Sequence, residues 1–295
     1  MRVVVYERVN DFYEKYKAFM LQKEAVMQLI FANVCAHSGE MSREESFFGA
    51  CVGKHTTLLF CNCQPFNLVV CSVTDDVDKE AVRELALYLI ENKLEINGIN
   101  ANKEICDTFI NVYTQHTGVA LQETLAMDIM ELRELNPIKL VKGTMRKARA
   151  SDVHLIACWE VAFAKEALGE EQFVKDRIDR VRQKVDMGII FLFENGDGKI
   201  VSMVDAARKL KKGIVFNDVY TPREERGKGY AQTNMFYVSQ HFLNEGKEFC
   251  TLFVDKKNPI SNRVYKKIGY EIVEDLRLSD FIKKIFCQEK ILDKK

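Results

Sequence analysis

The reading of this chain turns on one stretch, Ile214-Val215-Phe216-Asn217-Asp218-Val219-Tyr220-Thr221-Pro222-Arg223-Glu224-Glu225-Arg226-Gly227-Lys228-Gly229-Tyr230-Ala231. An apolar run of strand character passes through a proline-containing turn into a helix whose first residues are glycine-rich. Glycines let a ligand approach the main chain, and the unpaired N–H groups of a helix's first turn form an anion site. Arg223, Arg226 and Lys228 add positive charge locally. A diphosphate is the natural occupant. The loop is not a Walker motif, because no Gly-Lys-Ser/Thr follows, and not a dinucleotide fingerprint, because the third glycine position is missing.

Working outward, Gly188–Phe193, Lys199–Arg208 and Gly213–Tyr220 read as a three-strand meander. Its first turn, Asn195-Gly196-Asp197-Gly198, holds residues that tolerate positive φ. After the loop, Ala231, Met235, Val238 and Phe242 recur at helical spacing and predict a helix packed on the sheet. Strand Glu248–Val254, helix Ser261–Ile268 and strand Tyr270–Glu274 follow. Helices that connect strands in this way make part of the sheet parallel. Ahead of the meander stand a strand Thr144–Ala148, a helix capped by Ser151 and running through Ala167, and a polar helix Glu170–Lys184.

A second motif lies about thirty residues beyond the loop, in Asp255-Lys256-Lys257-Asn258-Pro259-Ile260-Ser261-Asn262-Arg263-Val264-Tyr265-Lys266-Lys267. The ordered pair, with a helix between, resembles the GNAT N-acetyltransferase superfamily over roughly residues 144–275. In that family an Arg/Gln-x-x-Gly-x-Gly/Ala loop binds the pyrophosphate of acetyl-CoA. Its positions here are Glu224, Gly227 and Gly229, with Glu where Arg or Gln is usual. The resemblance implies a cofactor cradle of Arg226, Gly227, Lys228, Gly229, Tyr230 and Ala231, and pantetheine contacts from Val219, Tyr220 and Thr221. The family's Asn-x-x-Ala/Ser-x-x-x-Tyr element maps to Asn258, Ser261 and Tyr265, the first two at the cofactor and Tyr265 as proton donor to the departing thiolate.

The implied reaction is direct attack of a neutral primary amine on the thioester in a ternary complex, with backbone N–H groups at 219–221 stabilising the oxyanion. A base must first take the ammonium proton. Asp218 is the leading candidate, and Asn217 faces the opposite side of the strand. Glu160 and Glu166 on a nearby helix, or a water chain, are alternatives. The competing function is a non-catalytic acyl-CoA-binding regulatory module, since fold alone does not guarantee chemistry.

Other residues invite plainer readings. Trp159 and Phe163 read as a helix face packed on the sheet, and Lys256, Lys257, Lys266 and Lys267 as surface lysines rather than contacts to the adenosine 3′-phosphate. Cys61 and Cys63 share one face of a strand, but no second pair stands at ligand spacing, so core packing is expected and no metal site. The five histidines form no cluster.

A chain of 295 residues leads one to expect two domains, drawn here as 1–140 and 141–295 at the break made by Asn136-Pro137. The first half has a strand Val3–Tyr6, helices near Asp11–Leu21 and Glu24–Ala36, and strands Thr56–Cys63 and Phe66–Val73. Helices Lys79–Asn92 and Lys103–Thr117 and a long strand Val119–Leu132 complete it. This order echoes the second half and resembles the N-terminal region of two-domain bacterial GNAT proteins. Yet the junction corresponding to the glycine loop is Thr74-Asp75-Asp76-Val77-Asp78, acidic and glycine-free, which should repel a diphosphate. The expectation is an α/β (α+β) GNAT fold, a mixed and mostly antiparallel sheet flanked by helices, present twice in tandem and degenerate in its first copy.

Charge bounds the partners. Lys and Arg number 43, and so do Asp and Glu, so there is no general attraction to nucleic acid or an anionic membrane. No apolar run approaches the roughly 20 residues that span a bilayer. An odd count of nine cysteines behind a charged N-terminus fits reduced thiols in a cytoplasmic protein. The acceptor is a small-molecule or peptide amine with no signature of its own.

Overall fold

Short β-branched and aromatic runs, separated by helices with one apolar face, fold into two compact units. The computed structural model describes residues 1–54 and 56–282. The first unit comprises Met1–Met20, Leu29–Ala126 and the stretch from Leu276, and the second comprises Leu21–Gln28 and Met127–Asp275. The units are therefore interleaved in sequence rather than divided at 140/141. The reason is pairing: residues 127–132 hydrogen-bond to a strand of the second unit, and residues 276–280 to a strand of the first.

In the first unit, β1 (Arg2–Tyr6), β2 (Ser46–Val52), β3 (Thr57–Cys63) and β4 (Leu68–Ser72) form an antiparallel series. A helix α3 (Lys79–Glu91) then crosses to β5 (Gly98–Asn102), which is parallel to β4. On the other side of β5 lies the second half of β12 (Glu271–Ile282), with Leu276 opposite Asn102. Helices α1 (Val9–Gln22), α2 (Gln28–Ala36) and α4 (Lys103–Thr117) accompany the sheet. Phe47, Leu58, Phe60, Leu85, Ile99 and Phe109 are fully buried together. Strands β2 and β5 escape a reading by alternation because they are buried along most of their length on both faces.

The second unit starts from β6 (Ala120–Leu132), whose residues 127–132 pair with β11 (Phe249–Asp255). The order continues β11, β10 (Gly213–Tyr220), β9 (Ile200–Lys209), β8 (Ile190–Asn195), β7 (Gly143–Lys147). Among the described residues of this unit only the β10–β11 pair is parallel, connected by α7 (Tyr230–Asn244). One face of this sheet packs Met235, Val238 and Phe242 of α7, and Ile268 of α8 (Pro259–Ile268), against Phe216 and Leu252. The other packs α5 (Val153–Phe163) and α6 (Val174–Asp186) through Ile156, Trp159 and Val181 onto Leu192 and Met203. The strand alternation is visible in neighbours: Phe191 joins the first cluster, Ile190 and Leu192 the second. This is the mixed sheet with flanking helices that the motifs imply, and Trp159 is core as its spacing suggests.

Two details differ from the sequence reading. Ser151 does not cap α5. The chain makes a 3-10 turn at Ala150–Asp152, and it is the Asp152 carboxylate that accepts the Arg149 N–H at 2.8 Å and takes two bonds from Arg146 at 2.7 and 3.3 Å. A carboxylate gains more from a guanidinium fork than a hydroxyl could. Helix α5 also stops at Phe163, and the turn Ala164–Leu168 that follows is a π-helix closed by Gly169. No helix among the described residues is long and apolar enough to cross a membrane.

Candidate functional site

The site is built where β10 breaks its own regularity. Its pairing with β9 runs Val215 to Arg208, then shifts at Asn217 opposite Asp205, and again at Tyr220 opposite Met203. Asp218 sits within this bulge at φ +45°, a left-handed conformation that Asp and Asn tolerate better than most residues. The parallel ladder between β10 and β11 ends at Phe216–Leu252, although both strands continue to Tyr220 and Asp255. Open α/β sheets take ligands at such carboxyl ends, where strand partners change.

Beyond Tyr220 the chain reaches α7 with two residues at positive φ, Gly227 at 77° and Gly229 at 85°. Gly229 occupies the N-cap position, so no side chain closes the helix. Among the described residues no acceptor stands against the backbone N–H groups of Gly227 through Gln232, and the first bond of the helix is Thr233 N–H to Gly229 at 3.0 Å. Space is open beside Gly227. The first unit provides the contrast. Its α3 also follows a strand and leads to a parallel one, but Asp78 caps it, accepting the N–H groups of Glu80 and Ala81 at 3.0 and 3.3 Å.

The basic side chains of the loop are already partnered. Arg223 and Arg226 both reach Glu166, at 3.2 and 2.8 Å, and Arg226 also donates to the Thr221 carbonyl. Glu225 takes Lys199 at 2.7 Å and Lys228 at 2.9 Å. Burial would raise the Glu166 carboxyl, but Arg226 and Arg223 outweigh it and hold it below the usual carboxylate range. An anion at this loop would therefore meet the amides, and Glu166 is already engaged by two guanidinium groups.

Tyr220 and Thr221 are buried, and the Tyr220 ring lies 5.9 Å from Trp159 and 5.6 Å from the Arg226 guanidinium. Val219 and Tyr230 are half-buried, as is Ala231. On the far side of the loop, Asn258 caps α8: its Oδ1 accepts the Ser261 N–H at 3.1 Å, ahead of Pro259 in the first turn. Tyr265 sits one helical turn on, buried beside Tyr270 with ring centres 5.8 Å apart and in one apolar cluster with Phe216 and Val219. Burial pushes its phenol well above the ordinary tyrosine range, so it stays protonated. No partner for its hydroxyl is present among the described residues.

On the opposite face of the sheet, Lys184 of α6 gathers three carboxylates. Its Nζ lies 2.7 Å from Glu160 of α5, 2.7 Å from Asp205 of β9 and 3.4 Å from Asp218 of β10. Burial alone would lower the Lys184 pKa, but Asp205, Asp218 and Glu160 more than offset it and keep the ammonium charged. Burial raises the Asp205 carboxyl against the pull of Lys184. The three acids stand close enough to hold a metal ion, yet the ammonium already lies at ion-pair distance from all of them. Glu160, weighed above as a base, is buried in this group.

Two of the four members were missed in the sequence. Lys184 is one of eight Lys, Arg and Asp residues in a polar helix, with nothing to single it out. Asp205 carried a signal: an acid inside the apolar run Val201–Ala206 must be buried, and a buried carboxylate needs a cation.

The remaining candidates are elsewhere. Lys256 pairs with Asp128 at 3.0 Å and Asp275 at 2.7 Å, and with Arg263 and Lys266 it lines a cavity of about 530 Å³. In the first unit the Cys61 sulfur accepts the Asn33 amide at 3.3 Å, and Cys63 lies 3.9 Å from His37. His55 lies outside the described residues. Every cysteine among the described residues is a free thiol.

Comparison with known proteins agrees with the geometry. Residues 154–270 match the family model described as Acetyltransferase (GNAT) family. No curated protein sequence matches the chain. The structure is similar to a GNAT-family acetyltransferase from Colwellia psychrerythraea, at 10% identity and a TM-score of 0.55, covering 96% of this chain and 100% of that one. It is also similar to a GCN5-related N-acetyltransferase from Sphaerobacter thermophilus, at 14% identity and a TM-score of 0.61, covering 95% and 96%. At such identities the likeness speaks for the fold, and the fold extends over both units. Over residues 154–270 the chain carries a domain of the acetyltransferase (GNAT) family.

Proposed function

We propose that this protein is an N-acetyltransferase that moves an acetyl group from acetyl-CoA to a primary amine. The observation that carries the reading is the run of unpartnered amides from Gly227 to Gln232 at a helix start that has no side-chain cap. Two linked phosphates suit it, through hydrogen bonds and the helix dipole together. Arg226, Gly227, Lys228, Gly229, Tyr230 and Ala231 would hold the diphosphate. Val219, Tyr220 and Thr221, freed from pairing with β11, would run beside the pantetheine arm, with Asn258 and Ser261 opposite. When bound, acetyl-CoA supplies the activated acyl group.

The protein's part in the reaction is positioning and proton transfer. Asp218 accepts a proton from the acceptor's ammonium, freeing the nitrogen lone pair to form the new amide bond. Backbone N–H groups at 219–221 stabilise negative charge on the carbonyl oxygen as the C–S bond breaks. Tyr265, kept protonated by burial, gives its proton to the sulfur that leaves with the electron pair. The first unit, with α3 capped by Asp78, holds no diphosphate in this scheme and serves as a degenerate copy of the fold. Free thiols among the described residues support the reading of a protein that works in a reducing compartment, the cytoplasm.

Titration calorimetry with acetyl-CoA, followed by thiol detection of released CoA across a panel of primary amines, tests the reading. Binding and amine-dependent release are expected. Tyr265→Phe should slow turnover while leaving acetyl-CoA affinity in place. Absence of binding would end the proposal, and binding without turnover of any amine would make the protein a CoA-binding module.

A further inference from the structure

We infer that Lys184 is a positioning residue of the acyl-transfer site, holding the Asp218 carboxylate by one oxygen and setting its readiness to take a proton. The inference rests on the acetyltransferase reading above. Its ground is the meeting of four elements at one ammonium: Glu160 from α5, Lys184 from the last turn of α6, Asp205 from β9 and Asp218 from the bulge of β10. Side-chain exposure separates their roles. Glu160, Asp205 and Lys184 are 6%, 4% and 10% exposed, whereas Asp218 is 27% exposed and is the member that reaches out of the core.

The bond lengths point the same way. Lys184 spends two short contacts of 2.7 Å on the buried acids and a longer one of 3.4 Å on Asp218 Oδ2. Asp218 Oδ1 has no partner among the described residues. One oxygen is thus tethered and the other is free for an incoming ammonium. A residue at φ +45° in a bulge has no ladder to orient its side chain, so the tether supplies the aim.

Charge supplies the tuning. The groups facing Asp218 are Lys184, Glu160 and Asp205, together with Arg208 of β9, which is half-buried, donates to Gln28 at 3.0 Å and acts on both Asp205 and Asp218. Loss of the Lys184 charge leaves three neighbouring acids without their bonded cation. Like charges at that range raise proton affinity, so Asp218 would be occupied by a proton up to higher pH. Loss of the Asp205 charge has the opposite sign, because Lys184 then answers to two acids instead of three.

The test is the pH profile of kcat/KM with acetyl-CoA and the best of three probe amines: spermidine, tyramine or a lysine-containing peptide. Lys184→Met should move the acid limb to higher pH and cost about a hundredfold at neutral pH, the scale of a lost general base. Lys184→Arg should restore the limb. Asp205→Asn should move it to lower pH, and it keeps Lys184 paired, so it remains informative if Lys184→Met does not fold. Carbon-13 titration of the Asp218 carboxyl in the full chain, assigned with Asp218→Asn, should shift in the same directions and needs no acceptor. An Asp218 ionisation that Asp205→Asn leaves unmoved overturns the inference. A wild-type protein that binds no acetyl-CoA instead overturns the reading beneath it, and the carboxyl titration tells the two failures apart.

Discussion

Asp218 combines a backbone constraint with the chemical role proposed for it, and the two can be separated by substitution. At φ +45° the position accepts Asn almost as well as Asp, but a carboxamide cannot take the proton. Asp218→Asn should therefore leave folding and acetyl-CoA affinity intact while kcat/KM falls by about 10²- to 10⁴-fold. Urea unfolding, calorimetry and CoA release on one sample check all three parts, and full activity in the variant would move the base elsewhere. At this scale the sequence was partly legible. Asp218 and Tyr265 stand in motifs whose order and spacing are informative. Lys184 and Asp205 act through a meeting of α6 with β9 and β10 that no local pattern records. Asn258 had a plainer use than expected as well, since its side-chain oxygen closes its own helix.

Helix starts are the elements on which the two units differ most in chemistry. Both α3 and α7 connect a strand to its parallel neighbour, but one begins with an aspartate that satisfies its amides and the other with a glycine that leaves them open. Asp78→Ala should cost about 1 kcal/mol of stability, as lost caps do, and leave acetyl-CoA affinity unchanged. Gly227→Ala meets no steric obstacle in space, so its effect is conformational: a left-handed residue costs about 1–2 kcal/mol there, and the loop should re-aim its amides and weaken acetyl-CoA binding. Calorimetry on the pair distinguishes the two helix starts. Equal affinity in both variants would show that the α7 amides do not hold the diphosphate. Helices such as α3, α4 and α7 were readable from their apolar stripes, and α4 from Gly118 at its end as well. Strands β2 and β5 were not, because burial on both faces erases alternation.

Over the whole chain, the packing does not follow the line that Asn136-Pro137 suggests. Strand β6 contributes its last residues, Met127–Leu132, to the ladder with β11. The segment Leu21–Gln28 also packs in the second unit, where the Glu24 carboxylate accepts the N–H groups of Lys211, Lys212 and Gly213 at 2.9, 2.8 and 3.2 Å. A fragment cut at residue 141 loses both and leaves one edge of β11 unpaired. It should aggregate or unfold, whereas the full chain unfolds cooperatively; gel filtration and circular dichroism would show the difference, and a stable monomeric fragment would contradict it. Long-range pairing of this kind lies outside what a sequence read in order can show. The strand at Leu276–Asp280, which lies beside β5, has a further consequence for biosynthesis. Chains leave the ribosome from the N-terminus, so the half made first must wait, with β5 exposed on one side, until Leu276–Asp280 emerge before its sheet is complete.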